Sequence, residues 1–193
     1  MTSDVSGQTL SFYAGTLRNQ GGTILAESGT TFRLQGGLLL NESGTLKSNG
    51  TFSFDSSYDL MGGEMTGSGL FSAPTLTNSA GLVNPGDPYG LLSIGGNYSQ
   101  TATGVLRVDI DGTGPGQFDR LAVSGQANLG GELQVFPTGG YVPTFGDTFR
   151  ILTSNSRVNK FSITPGTQWQ TIYGPNYVDI RYLVNGAAFS YPL

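Results

Sequence analysis

Three carboxylates crowd one short stretch of the chain, Asp109, Asp111 and Asp119 in "DIDGTGPGQFD". A calcium ion takes several carboxylate and carbonyl oxygens, which makes this stretch the candidate metal site. Its spacing departs from the EF-hand loop, because glycine comes directly after the second Asp and no loop-ending Glu follows. Read structurally, the glycine-rich residues form a turn between two strands, with Asp109 facing outward and Asp119 bracing the next strand. The same carboxylates could be the acid and base of a glycosidase or polysaccharide lyase, chemistry that needs two of them at a working separation across a groove. Nothing in the spacing places them so, and no catalytic residue is assigned.

A second group is aromatic: Trp169, Tyr173, Tyr177, Tyr182, Phe189 and Tyr191. Exposed coplanar rings would make a stacking platform for sugars, with Trp169, Tyr173 and Tyr177 as the ligand-binding candidates. Rings packed together would instead plug the end of a repetitive core, which such folds require for solubility. Asn41, Asn49 and Asn97 begin matches to the N-glycosylation pattern, as chance produces in a chain so rich in Ser, Thr and Asn. With no cysteine and no histidine in 193 residues, disulfides, thiolate metal sites, Cys nucleophiles and His general bases are excluded, and no cofactor is implied. Nine Lys plus Arg against thirteen Asp plus Glu give a net charge of −4 with no basic cluster, which argues against nucleic acid as partner.

What positions these residues is read from periodicity. From Leu121 to Val135 every odd position is small or apolar, so period two predicts strand, but the run is about three times the usual strand length of roughly 5 residues. Glycines interrupt its inward row at Gly125 and Gly131. A coil whose corners bend the chain while the inward row continues around them accommodates both facts. "TFRLQGGLLLNESGTL" and "SYDLMGGEMTGSGLF" form a loose repeat, and "GTLRNQG" returns as "GTLKSNG"; spacings in the twenties suit one turn of a solenoid. Further on, Leu92, Ile94 and Tyr98 share a parity, as do Leu106, Val108 and Ile110, then Phe149 and Ile151, Phe161 and Ile163, and Val178 to Val184. Pro85 and Pro88 exclude a central ladder position for the turn cluster around them. No helix is predicted. The expectation is an all-β chain stacked around one long apolar core.

The stretch from "GLVNPGDPYGLLSIGGNYSQTATGVLRVDIDG" through "GYVPTFGDTFRILTS" to "NYVDIRYLV" resembles the C-terminal part of autotransporter-type passenger domains and related adhesin-like β-helix proteins. The shared layout is Pro85-Gly86, Gly96 to Gln100, Gly104 to Ile110, Asp119 to Gly125 and Gly146 to Leu152, covering roughly residues 60 to 184. The resemblance implies a single-stranded right-handed parallel β-helix, or β-solenoid, with a C-terminal β-rich cap. It implies coils over 1–118, then terminal coils and an autochaperone-like capping region over 119–193.

Together these readings lead to the expectation of a non-enzymatic structural module, a stalk or spacer and folding cap in a secreted or cell-surface adhesin-like protein. Its expected partners are the remainder of that larger protein, a host or matrix glycan or protein, and other copies stacked end to end. Neither membrane insertion nor a signal peptide is expected of this segment, since no apolar stretch approaches a membrane span and "MTSDVSGQTLSF" has no basic start and no apolar core. The alternatives are a carbohydrate-binding or carbohydrate-processing β-helix, and a self-assembling fibre or surface-layer subunit.

Overall fold

A computed structural model describes the backbone of residues 2–3 and residues 7–184. Short strands alternate with corners throughout, and no helix occurs among the described residues. They are β1 (Thr2–Ser3), β2 (Thr9–Phe12), β3 (Thr16–Asn19), β4 (Thr23–Ala26), β5 (Thr31–Leu34), β6 (Leu38–Asn41) and β7 (Thr45–Ser48). Next come β8 (Thr51–Phe54), β9 (Tyr58–Leu60), β10 (Glu64–Gly67), β11 (Leu70–Asn78), β12 (Leu82–Pro85), β13 (Leu91–Gln100) and β14 (Val105–Ile110). The chain continues with β15 (Arg120–Val123), β16 (Gln126–Leu129), β17 (Glu132–Pro137), β18 (Thr148–Thr153), β19 (Ser156–Asn159), β20 (Trp169–Tyr173) and β21 (Tyr177–Tyr182).

Each turn contributes three strand segments, and equivalent segments of successive turns pair in parallel. One side runs β2-β5-β8-β11-β13-β15-β18 and another runs β1-β4-β7-β10-β12-β14-β17. The third side holds the β3-β6 pair, then β9 against the second half of β11, and the second half of β13 against β16 and β19. The architecture is thus a β-solenoid-like stack of parallel strands. It ends differently: β21 pairs antiparallel with β18 and with β20, so a hairpin extends the first side.

Parity explains the stack. Strands β15, β16 and β17 divide the long alternation of residues 121–135 at Ser124-Gly125 and Gly130-Gly131, and Leu121, Val123, Ala127, Leu129 and Leu133 all turn inward and are buried. Inward residues then stack on their counterparts one turn away. Leu10, Phe32, Phe52, Phe71, Ile94 and Val123 form one row, and Ile24, Leu46, Met65, Val83, Leu106 and Leu133 another. Ring centroids in the first row are 5.1 Å apart for Phe32–Phe52 and 4.9 Å for Phe52–Phe71, spacing at which aromatic pairs contribute about 0.5–1.5 kcal/mol beyond their buried area.

The corner leading into the second side is polar and glycine-rich. Gly22, Gly44, Gly63, Gly81 and Gly104 each accept a hydrogen bond from the first strand residue of the next turn. Inward amides complete the corner: Asn19 Nδ2 donates to Asn41 Oδ1 (2.9 Å), Asn41 Nδ2 to the Gly44 carbonyl (2.9 Å), and Gln100 Nε2 to the carbonyls of Gly104, Gly130 and Glu132. These buried amides are tolerated because their own N–H groups are bonded, Asn19 to the Asn41 side chain and Asn41 and Gln100 to corner carbonyls.

Three expectations need revision. The repeats do not mark single turns: Thr16 of "GTLRNQG" pairs with Leu38, while Thr45 of "GTLKSNG" pairs with Thr23 on a different side. The recurrence is one turn plus one side, because all three sides use the same strand-and-corner unit. Pro85 ends a ladder strand, paired with Gly67 of β10, although β14 pairs only with Leu82 and Val83. Its missing N–H is therefore placed where the ladder toward β14 has already stopped. Finally, Phe161 is buried but Ile163 is exposed, touching the ladder through one bridge to Glu132 and no full strand.

Candidate functional site

The three carboxylates are separated by their backbone partners. Asp119 lies at the foot of β15, fully buried, where Oδ1 accepts from the Gly90 N–H (3.2 Å) and Oδ2 from the Asp109 N–H (2.9 Å). Burial pushes its carboxyl up to about 7, with the nearby Asp109 charge adding to the effect and the two N–H donors and the Arg107 charge opposing it. Asp109 is half-buried at the end of β14 and pairs with Arg107 Nε at 2.9 Å. Asp111 closes the 111–117 turn through its N–H to the Gln117 carbonyl (2.7 Å), while its carboxylate packs against Gly139. Among the described residues no three metal-ligating side chains converge on one point. The carboxylate oxygens of Asp119 hold two turns together.

The aromatic group is consumed in packing. Trp169 is 9% exposed and meets Phe149 edge-on at 6.0 Å and Tyr182 at 5.0 Å with planes inclined by 63°. Arg157 and Lys160 cover Tyr173 at 5.0 and 5.3 Å, and Arg150, bidentate to Asp179, covers Tyr177 at 4.0 Å. These rings do not form an open coplanar platform. Phe189 and Tyr191 lie outside the described residues. Of the three sequon asparagines, Asn41 is buried in the polar corner, Asn49 bonds Asp87, and Asn97 is exposed and accepts from the Gln126 N–H.

A different feature is the better candidate for a binding site. No ladder joins β6 to β9, although the other two sides are continuous at the same level through β5-β8 and β7-β10. The gap is pinned at one end by the Asp55 N–H on the Leu34 carbonyl (3.2 Å) and at the other by Asn41 Nδ2 on the Gly62 carbonyl (3.2 Å). Two cavities flank it, of about 300 Å3 and about 320 Å3, and Leu40, Asp59 and Met61 line both. Leu38 and Glu42 turn their N–H groups toward β3, bonding Gly15 and Asn19, so alternation turns the N–H and C=O of Leu39 into the gap. On the far side Leu60 accepts from Ser79, which turns the backbone groups of Asp59 into the gap from above.

The walls of this cleft are apolar, with Leu38 52% and Met61 59% exposed, and its charge is unbalanced. Arg18 at its far end is paired with Glu42 (2.7 Å), whereas no ion pair engages Asp59 among the described residues. The buried Tyr58 hydroxyl has no hydrogen-bond partner among the described residues, and burial, then the Asp59 charge, pushes it above the usual phenol range. A signal for this site is present in the sequence: "LLL" at 38–40 breaks the strict alternation and puts Leu38 and Leu40 on the outward parity.

A groove of about 620 Å3 runs beside β17 between Gln134–Pro137, Pro143 and Thr164–Trp169. There the ladder stops: the Leu133 N–H reaches the Ile163 carbonyl (2.9 Å), and no further strand pairs with β17 on that side among the described residues. Comparison with protein-family models and with curated proteins gives no match for this chain.

Proposed function

We propose that this chain is a non-enzymatic structural segment of a larger secreted or cell-surface protein, a right-handed β-helical stalk or spacer whose final residues act as a folding cap. The observation that carries the reading is the continuity of the inward rows, which pass from turn to turn, while the Asp119 carboxylate is engaged by backbone N–H groups and the late aromatic rings pack against their neighbours. A stack of this kind extends reach along one axis, since each turn contacts only its neighbours. The resemblance of roughly residues 60 to 184 to autotransporter-type passengers supports the same reading and is the source of the proposed handedness. For the cap, the support is the antiparallel hairpin β20-β21, whose Trp169 and Tyr182 gather with Phe149 over the last turn.

Two measurements test it. Small-angle scattering of the purified chain should give an elongated particle with a constant cross-section. In cells making the full-length protein, antibody against this segment should label the outside of intact cells; recovery of the protein solely from the cytosol would sink the proposal.

A further inference from the structure

We propose that the cleft between β6 and β9 binds an alkylammonium group, a cationic head carried on an apolar stem, as a lysine side chain presents. Three independent features meet there. First, the walls are apolar and open: Leu38, Leu40 and Met61 offer a slot for a chain of methylenes. Second, the charge is complementary. Asp59 is the one carboxylate lining both cavities without an ion-pair partner among the described residues, while the neighbouring Arg18 and Glu42 neutralise each other. Third, the broken ladder leaves the backbone carbonyls of Leu39 and Asp59 turned into the gap, acceptors that an ammonium with three N–H donors can use together with the carboxylate.

The geometry favours a side chain over a whole inserted strand, because the gap is closed at Leu34–Asp55 and at Asn41–Gly62. A volume of about 300 Å3 lies at the small end of the range that ligand sites occupy. An anion is disfavoured by Asp59, and a neutral alcohol leaves the carboxylate without a counter-charge. The stalk reading does not depend on this cleft, so each can fail alone.

The probe is n-hexylammonium, followed by methyl resonances of Met61 and Leu38 in the full chain. Hexan-1-ol, hexanoate and methylammonium serve as neutral, anionic and stemless controls. Hexylammonium should bind at least tenfold more tightly than any control, and Asp59→Asn should weaken it at least tenfold while leaving the ligand-free spectrum unchanged away from the cleft. Met61→Ser should weaken hexylammonium and leave methylammonium unaffected, which separates the stem from the charge. The peptide Ac-Ser-Lys-Ser-NH2 distinguishes sources: displacement of hexylammonium assigns the site to a lysine of a polypeptide, and binding of the free amine alone assigns it to small amines. Equal binding of hexanoate or hexanol, insensitivity to Asp59→Asn, or no shift at Met61 overturns the proposal.

Discussion

Asp119 shows how a residue that looks chemical can be architectural. Its two oxygens accept from the N–H groups of Gly90 and Asp109, and burial outweighs those donors to raise its titration to about 7 from an ordinary 3.8. A carboxyl raised in the folded state stabilises the protein fully below the unfolded value of 3.8, and that contribution disappears as pH rises through about 7. Urea midpoints of the native chain should therefore fall from about pH 4 to about pH 7 and level off above it. Asp119→Asn should flatten the curve and lower its acid plateau by about 1–3 kcal/mol, because its side-chain amide has one acceptor oxygen for two N–H donors. An unchanged pH dependence in the variant would remove Asp119 as its source. Gly63 offers a second test at this scale. Its φ of 64° is left-handed, and a Cβ there would overlap the Gly44 carbonyl oxygen, whereas Gly15, also left-handed at 86°, faces open space. Backbone strain alone costs about 1–2 kcal/mol, so Gly15→Ala should lose about that much by urea denaturation and Gly63→Ala clearly more.

At the scale of the strand, the informative unit is a side of one turn. Strands β5, β8 and β11 are joined by ladders and by the Phe32–Phe52–Phe71 stack, while β6 and β9 share neither. Hydrogen exchange should accordingly find the Leu39 and Asp59 amides less protected than those of Phe52 and Met65 at the same level; equal protection would mean that the missing ladder is closed in solution. Much of this architecture is legible in the sequence. Period two locates the inward row from Leu121 to Val135, and the glycine breaks locate its corners, because both depend only on local geometry. The length of a turn is not legible, since three sides built from one unit make Thr16 and Thr45 look equivalent when they occupy different sides. Nor is the cleft, which arises from how two turns splay and which "LLL" only hints at. The three carboxylates are misleading as a set for a related reason: nearness along the chain says nothing about which backbone N–H groups will claim each one.

For the whole molecule, the informative contrast lies between the parallel turns and the antiparallel hairpin that follows them. At the late end the hairpin β20-β21 covers β18, and the Arg157 N–H bonds the Pro175 carbonyl at its turn, while β17 is left with its groove. Because each turn buries its apolar row only against its neighbours, stability in such a stack is a sum of local terms and nearest-neighbour interfaces. Damage at the hairpin should then spread inward from that end and fade with distance. Trp169→Ala removes a buried ring packed on Phe149 and Tyr182, a change that typically costs about 3–5 kcal/mol. Native-state hydrogen exchange should show protection falling most at Val178 and Phe149, less at Leu121, and not at all at Phe52. Phe52→Ala, made in the middle of the aromatic row, should instead lower protection in the turns on both sides of it. A uniform loss across the chain in response to Trp169→Ala would indicate a single all-or-none unit, and the additive picture of a stalk assembled turn by turn would have to be given up.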